Sequence, residues 1–359
     1  MTDTGEEQVA MPIDLRTHNG ELCMVSFSLP QSNFTEPFFL DTLSRRFRIA
    51  EVDEDTPREQ EVLVRPLHYD ETDPRIVYTP VSEFLATHHT EKSLDKNVRF
   101  IFHMSRCGST LAAQMLASSN RFFVISEHPL INTLLDPALK LNEKIDKGAL
   151  LKASIQSILA CKPREAEYSF LKFRSWNTLY LDKILEQFPT TPWMFIHRNG
   201  LEVLASVLRN PPGWLRSREK YESLFTPFLD LKPGEHVESL GDDEFAIRIL
   251  GAFCKKAISE KSSMSEYVEY EDISVKFPNI LDKEWGLHLS PAEQEAMMAR
   301  TRIYSKDPEK MKEFIKDGEV KRQLATEEQR ELAGRFIEVE RRRMQAEFDW
   351  TKELRPRML

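Results

Sequence analysis

Cysteine is scarce and scattered in this chain: Cys23, Cys107, Cys161 and Cys254 are the four among 359 residues. No two share a CxxC spacing, so neither a zinc site nor a disulfide framework is expected, and the thiols read as reduced. Long apolar runs are missing too. No stretch approaches the ~18 apolar residues of a membrane-spanning helix. The opening MTDTGEEQVAMPIDL is acidic and carries no apolar signal core, which points to a cytoplasmic protein. Positive charge is in deficit. A net charge of -9 disfavours a nucleic-acid partner, though it leaves room for a local basic pocket that takes a small anion. No internal repeat and no low-complexity tract occurs. What is present, 41% hydrophobic and 30% charged residues, suffices for a sizeable core and for one large domain or two ordinary ones.

The chain changes character near the polar run HHTEKSLDKN at residues 88–97. Before it, short apolar runs (LCMVSFSL, EVLVRPL, RIVYTP) read as strands separated by proline-bearing polar stretches. Residues 1–95 are therefore expected to form a smaller β-rich or α+β region of unknown role. After it, residues 96–359 alternate. VRFIFHM, FFVISEHP, YSFLKFRS, WMFIHR and SEYVEYED read as strands. STLAAQMLASS, KGALLKASIQSILAC, TLYLDKILEQF and GLEVLASVLR read as the helices between them. Such alternation predicts an α/β fold with a parallel sheet flanked by helical crossovers. Ligands then bind at the carboxyl ends of the strands. Two amphipathic helices, SPAEQEAMMARTR and EEQRELAGRFIEVERRRMQAEF, close the pattern, with RRRM as a solvated face.

The segment FIFHMSRCGSTLAAQML places Arg106-Cys107-Gly108-Ser109-Thr110 between a strand and a helix. Backbone N–H groups at a helix N-terminus point outward, and the helix dipole favours an anion there. Gly108 allows close backbone approach, Ser109 and Thr110 add hydroxyl donors, and Arg106 adds a fixed charge with several donors. The loop reads as an anion cradle. Its competitor is a tight strand-to-helix turn with no ligand. It is not a Walker A motif, since His103 stands at the first glycine position and Ser109 at the lysine position. A second cluster follows in WMFIHRNGLEVLASVLRNP. Arg198 ends a strand, and Ser206 lies eight residues on inside the next helix, where both can converge on one oxyanion. The bland reading makes Arg198 a carbonyl cap and Ser206 a helix filler.

This pair of motifs resembles the sulfotransferase family of the P-loop nucleoside triphosphate hydrolase superfamily, over roughly residues 98–350. The resemblance implies a P-loop type three-layer sandwich and a donor, PAPS (3′-phosphoadenosine 5′-phosphosulfate). It implies that Arg106 to Thr110 bind the 5′-phosphosulfate, that Arg198 and Ser206 bind the 3′-phosphate, and that Tyr270 lies near the adenine, with Glu271 and Asp272 largely structural. YSKDPEKMKEFIKDGEVKR is similar to the family's late basic loop, which makes Lys306, Lys316 and Lys321 weaker candidates. Two departures stand out. Gly200 replaces a frequent proline, and Cys107 a common serine or glycine.

Sulfuryl transfer needs alignment of donor and acceptor, positive charge over the developing oxygens, and a base for the acceptor. Arg106 suits the charge role, and Lys172 is a candidate to stabilise the leaving phosphate oxygen. Cytosolic family members place a histidine two residues after such a lysine. Here that residue is Arg174, which cannot accept a proton at neutral pH. Other members use a glutamate after the second strand, so Glu127 is the first candidate base and His128 the second. Glu127 as a helix N-terminal carboxylate is the competing assignment. No metal is implied, and no HExxH or clustered His/Cys spacing occurs. The expected activity is PAPS-dependent transfer to a hydroxyl or amine of a small-molecule acceptor, with a homodimer allowed. An ATP-dependent phosphotransferase and a non-catalytic nucleotide-binding or interaction protein are the alternatives. The aromatic and proline-rich segment 211–243 is expected to be either a lid lining an acceptor pocket or ordinary packing.

Overall fold

A computed structural model of the chain describes residues 8–30, 50–51, 67–88, 96–216, 218–219, 222–303 and 317–354. Lys306, Lys316, His89 and most of EVLVRPL lie outside these residues. The chain divides into two compact units. One holds Met1–Phe100, Asn120–Phe173 and Lys183–Thr191; the other holds Ile101–Ser119, Arg174–Asp182 and Pro192–Leu359.

The N-terminal strands β1 (Gln8–His18) and β2 (Glu21–Pro30) form an antiparallel hairpin. Its turn, Asn19-Gly20, has both residues at positive φ (50° and 80°), which matches the twist of a two-residue hairpin. A short pair, β3 (Ala50–Glu51) with β4 (Leu67–His68), comes next. β5 (Ile76–Pro80) then adds antiparallel to β2, and helix α1 (Val81–His88) follows. The runs LCMVSFSL and RIVYTP are strands, as their composition predicts. β1 was not legible, because proline, aspartate and arginine interrupt its apolar residues. A register shift between Pro12 and Asp14 buries Met11, Ile13 and Asp14 alike. Asp14 pairs with Arg16 at 3.1 Å, yet burial pushes its carboxyl up to about 6.

All five strands expected after residue 96 are present: β6 (Val98–His103), β7 (Phe122–Ser126), β8 (Tyr168–Lys172), β9 (Trp193–His197) and β10 (Ser265–Glu269). They form one sheet in the order β10-β9-β6-β8-β7, with β7–β8 and β9–β10 paired in parallel. Nearly every residue of these strands is buried, which is why β6 to β9 read as mostly apolar runs rather than alternating ones. The intervening helices are α2 (Ser109–Leu116), α3 (Pro129–Leu135), α4 (Lys147–Ala160), α5 (Leu181–Gln187), α6 (Gly200–Arg209) and α7 (Asp242–Ser259). The chain ends through α8 (Ile273–Asn279), α9 (Pro291–Arg300), α10 (Gly318–Gln323), α11 (Glu327–Ala333) and α12 (Val339–Leu354). The architecture is the expected α/β class: a parallel sheet flanked by helices, plus a smaller antiparallel N-terminal sheet.

Local differences have local causes. The run TLYLDKILEQF is not one helix: a 3-10 turn at Ser175–Tyr180 precedes α5. The last amphipathic run is broken by a π turn at Gly334–Glu338 between α11 and α12. In RRRM, Arg342 and Arg343 are exposed, but Arg341 is buried and paired with Glu338 at 2.5 Å and with Glu269. Within segment 211–243, Trp214 and Phe225 pack on α7. Trp214 meets Phe253 edge-on at 6.1 Å, and Phe225 meets Phe245 at 5.9 Å, both on the face of α7. All four cysteines are free and buried. Among the described residues, no helix is long and apolar enough to cross a membrane.

Candidate functional site

The loop between β6 and α2 is held by its neighbours in three places. The Met104 N–H donates to Ile196 O at 3.1 Å, the Cys107 thiol donates to the same carbonyl at 3.0 Å, and the Ser105 N–H donates to His103 Nδ1 at 3.1 Å. Cys107 is therefore an interior anchor and not an exposed thiol. Three residues of the loop have left-handed backbone: Ser105 (φ 74°), Arg106 (φ 46°) and Gly108 (φ 87°). Such conformations are strained outside glycine and cluster where a backbone is shaped for a ligand. Gly108 is also the N-cap of α2, and no side chain closes that helix end. A Cβ on Gly108 would overlap the ring of Tyr270, so glycine is required there for two independent reasons. Ser109 is buried and Thr110 half-buried at the first turn of α2. Arg106 turns its guanidinium outward, where Nη2 donates to Asn210 O at 2.7 Å.

The second cluster sits at the end of β9, in the same compact unit. The Arg198 N–H donates to Met104 Sδ at 3.2 Å. Its guanidinium lies over the Tyr270 ring, 4.3 Å from the centroid. Its Nε and Nη2 donate to Glu202 Oε2 at 2.7 and 2.6 Å. Glu202, which is buried, accepts from Arg322 of α10 through its other oxygen. Ser206 is half-buried one turn further along α6. The amino end of α6 itself is closed to an anion. Gly200 N–H donates to Glu338 Oε1 at 2.9 Å, and Asn199 Oδ1 takes the N–H groups of Leu201 and Glu202 at 3.1 and 3.3 Å. Of the two helix ends near these motifs, α2 is open and α6 is capped three times over.

Gly200 now has a physical reason to stand where the resemblance suggests proline. Proline has no N–H to give Glu338, and any Cβ at this position would come within 2.9 Å of Ile337 Cδ1. Behind it, Arg341 joins Glu338 and Glu269 and donates through Nε to His197 Nδ1 at 3.4 Å. Burial, with Arg341 and then Lys276 nearby, pushes the His197 imidazole down to about 3, so it is neutral at physiological pH. Burial raises Tyr270 and Glu271 above their ordinary values, and Asp272 pairs with Lys276 at 2.8 Å. Lys321 is engaged by Asp317 at 2.8 Å; the neighbouring Arg322 is the α10 cation that reaches the Arg198 cluster.

The remaining candidates lie in the other unit. Glu127 follows β7 with φ 57°, a left-handed non-glycine residue. Its N–H donates to Lys172 O at 2.7 Å, and its Oε1 is paired with Lys172 Nζ. Lys172 is fully buried, whereas the Glu127 side chain is 39% exposed. Register explains the pairing, since Ser126 and Lys172 are partners at the carboxyl ends of two parallel strands. His128 is buried and precedes Pro129 at the start of α3. β8 ends at Lys172, so Arg174 does not continue a strand face; its N–H donates to Asn177 Oδ1 at 2.8 Å in the 3-10 turn. Sequence reasoning missed Glu202, Arg322 and Glu338. The four-residue spacing Arg198, Glu202, Ser206 was the available signal for the first; nothing local announced the other two. Among the described residues, no cluster of three His, Cys, Asp or Glu side chains is placed to hold a metal ion.

No family model matches the chain, and no curated protein matches it. Several solved structures resemble it distantly. The sulfotransferase domain of a Synechococcus olefin synthase is 17% identical, with 67% of this chain and 94% of that one covered and a TM-score of 0.41. A sulfotransferase from Mycobacterium avium is 12% identical, covering 61% of this chain and 71% of its own, with a TM-score of 0.38. A retinol dehydratase, solved with androsterone and the inactive cofactor PAP, is 16% identical over 74% of this chain and 86% of its own, with a TM-score of 0.37. The chain's own residues, not these distant likenesses, carry the reading below.

Proposed function

We propose that the protein is a sulfotransferase that uses PAPS and passes the sulfuryl group to a hydroxyl or amine of a small-molecule acceptor. The observation that supports this reading is the pairing of two anion-ready places around one aromatic ring. The open, left-handed loop at Gly108 lies against the Tyr270 ring, and the Arg198 guanidinium lies over that ring. A nucleotide with a phosphate on its 3′ carbon and a sulfated phosphate on its 5′ carbon fits that arrangement. In this reading Arg106 leaves Asn210 O to meet the sulfate end, and the Gly108–Thr110 backbone with the Ser109 and Thr110 hydroxyls holds the 5′-phosphate. Arg198 and Ser206 hold the 3′-phosphate. Glu127 takes the acceptor's proton, with His128 as the second candidate, and Lys172 fixes the Glu127 carboxylate by its ion pair.

Calorimetric titration with 3′-phosphoadenosine 5′-phosphate, 5′-AMP and ATP tests the donor. Tight binding that requires the 3′-phosphate and weakens at least ~100-fold in Arg198→Ala is expected, as for loss of a charge-assisted phosphate contact. Preference for ATP would replace this reading with a phosphotransferase. No binding of any of the three would leave the two motifs without a nucleotide role.

A further inference from the structure

With a phosphate at Arg198, one charge in the cluster is out of place. Glu202 and Ser206 lie one turn apart on α6, and Arg198, just before the helix cap Asn199, pairs with Glu202, so a carboxylate stands between two groups meant for a phosphate. An ionised carboxylate there repels the very ligand its neighbours attract. We propose that Arg322 of α10 is the counter-charge to Glu202: it neutralises that carboxylate instead of binding the ligand itself, and so turns Arg198 into a phosphate clamp. This rests on the donor reading above.

Three observations carry it. First, Glu202 is 1% exposed and both its oxygens are occupied, Oε2 by Arg198 and Oε1 by Arg322. A buried carboxylate held by two guanidinium groups is a cluster with one surplus positive charge. With Arg198 alone the charges would cancel, and a phosphate would meet no net attraction. Second, Glu202 grips Arg198 by the Nε–Nη2 edge while Tyr270 covers one face of the guanidinium. The Nη1 end has no partner among the described residues and is the part left to offer a ligand. Third, the neighbouring cation of α10 is already engaged: Lys321 pairs with Asp317 at 2.8 Å. Glu202 is thus a positioning residue for Arg198, and Arg322 the residue that makes its presence tolerable.

A double-mutant cycle decides the matter. The full chain is prepared as wild type, Arg322→Met, Glu202→Gln and the double variant, and each is titrated with 3′-phosphoadenosine 5′-phosphate and 5′-AMP. Arg322→Met is expected to weaken the 3′-phosphorylated ligand at least ~10-fold, a coupling within the usual range for a shared charge network, and to leave 5′-AMP unchanged. The double variant is expected to return to within ~3-fold of wild type, because the charge that Arg322 countered is gone. If the double variant stays as weak as Arg322→Met, Arg322 touches the phosphate directly and the proposal falls. It falls equally if Arg322→Met binds like wild type. Should wild type bind no 3′-phosphorylated nucleotide, the donor reading fails, and the cycle is read on the thermal midpoint instead. A lowered midpoint in Arg322→Met that the double variant restores supports the charge pairing, and an unchanged midpoint in Arg322→Met overturns it.

Discussion

At the scale of single residues, the site is built by unusual backbone as much as by side chains. Gly108 is required both for its left-handed φ of 87° and because Tyr270 occupies the space of a Cβ. Gly108→Ala is therefore expected to lower stability by about 2–3 kcal/mol, of which ~1–2 is backbone strain and the rest displacement of the ring. Chemical denaturation of Gly108→Ala with and without Tyr270→Ala checks it. The alanine at 108 should cost about 1 kcal/mol less when the ring is gone, and equal costs in both backgrounds would mean that the ring contact does not matter. The interior place of Cys107 went unread, whereas the strand-end or helix-start positions of Arg106, Gly108 and Arg198 were legible in the sequence. Glu202 and Arg322 were not. Their significance is a contact between residues 120 positions apart, and no periodicity encodes it.

At the scale of elements, the parallel strands were the easiest to read and α7 the hardest. β6 to β9 are buried on both faces, so their sequences are mostly apolar rather than alternating. α7 escaped notice because it is buried nearly all round: Phe245, Ile249, Phe253 and Ala257 are inside, but so are Ile247, Leu250 and Cys254, which blurs a helical stripe. The amino end of α6 shows how one element constrains another. Glu338, from the π turn before α12, takes the Gly200 N–H that would otherwise be open. Proline is normally welcome at a first helical position. Here Gly200→Pro is expected to destabilise by about 1–3 kcal/mol, by removing that donor and forcing a ring against Ile337. Urea unfolding of Gly200→Pro beside Gly200→Ala would check it; a proline variant as stable as wild type would show that the Glu338 contact contributes nothing.

At the scale of the whole molecule, buried ionisable groups tie stability to pH. His197 has its folded pKa depressed to about 3 by burial and by Arg341 and Lys276. A free histidine titrates near 6.5, so the unfolded chain binds the proton first as pH falls. The stability that the neutral imidazole confers is full above about 6.5 and is lost progressively down to about 3. Between pH 6.5 and 5, wild type should lose about 1.5 kcal/mol more than His197→Gln, which keeps an acceptor for Arg341. Parallel unfolding curves for the two proteins across that window would show that His197 is not the group responsible. Asp14 works in the opposite sense, because its carboxyl is raised to about 6 and folding favours its protonated form. The His197 variant must therefore be compared with wild type at each pH, not across pH alone.

The sequence by itself determined the fold class, the order of the parallel strands after residue 96, and the two strand-to-helix loops at Arg106 and Arg198 as candidate anion sites. These follow from local rules: apolar runs make buried strands, and open N–H groups at a strand-to-helix turn favour negative charge. Only the tertiary structure decided which charges neutralise which. Glu127 is paired with the buried Lys172, Glu202 is shared between Arg198 and Arg322, and Arg341 joins Glu338 to Glu269. Arg198–Glu202 and Arg341–Glu338 are local, but Glu127–Lys172, Glu202–Arg322 and Arg341–Glu269 join residues that come together only when the chain is folded. A buried charge is stable only with a partner, so the partner's identity is a property of packing rather than of any stretch of sequence.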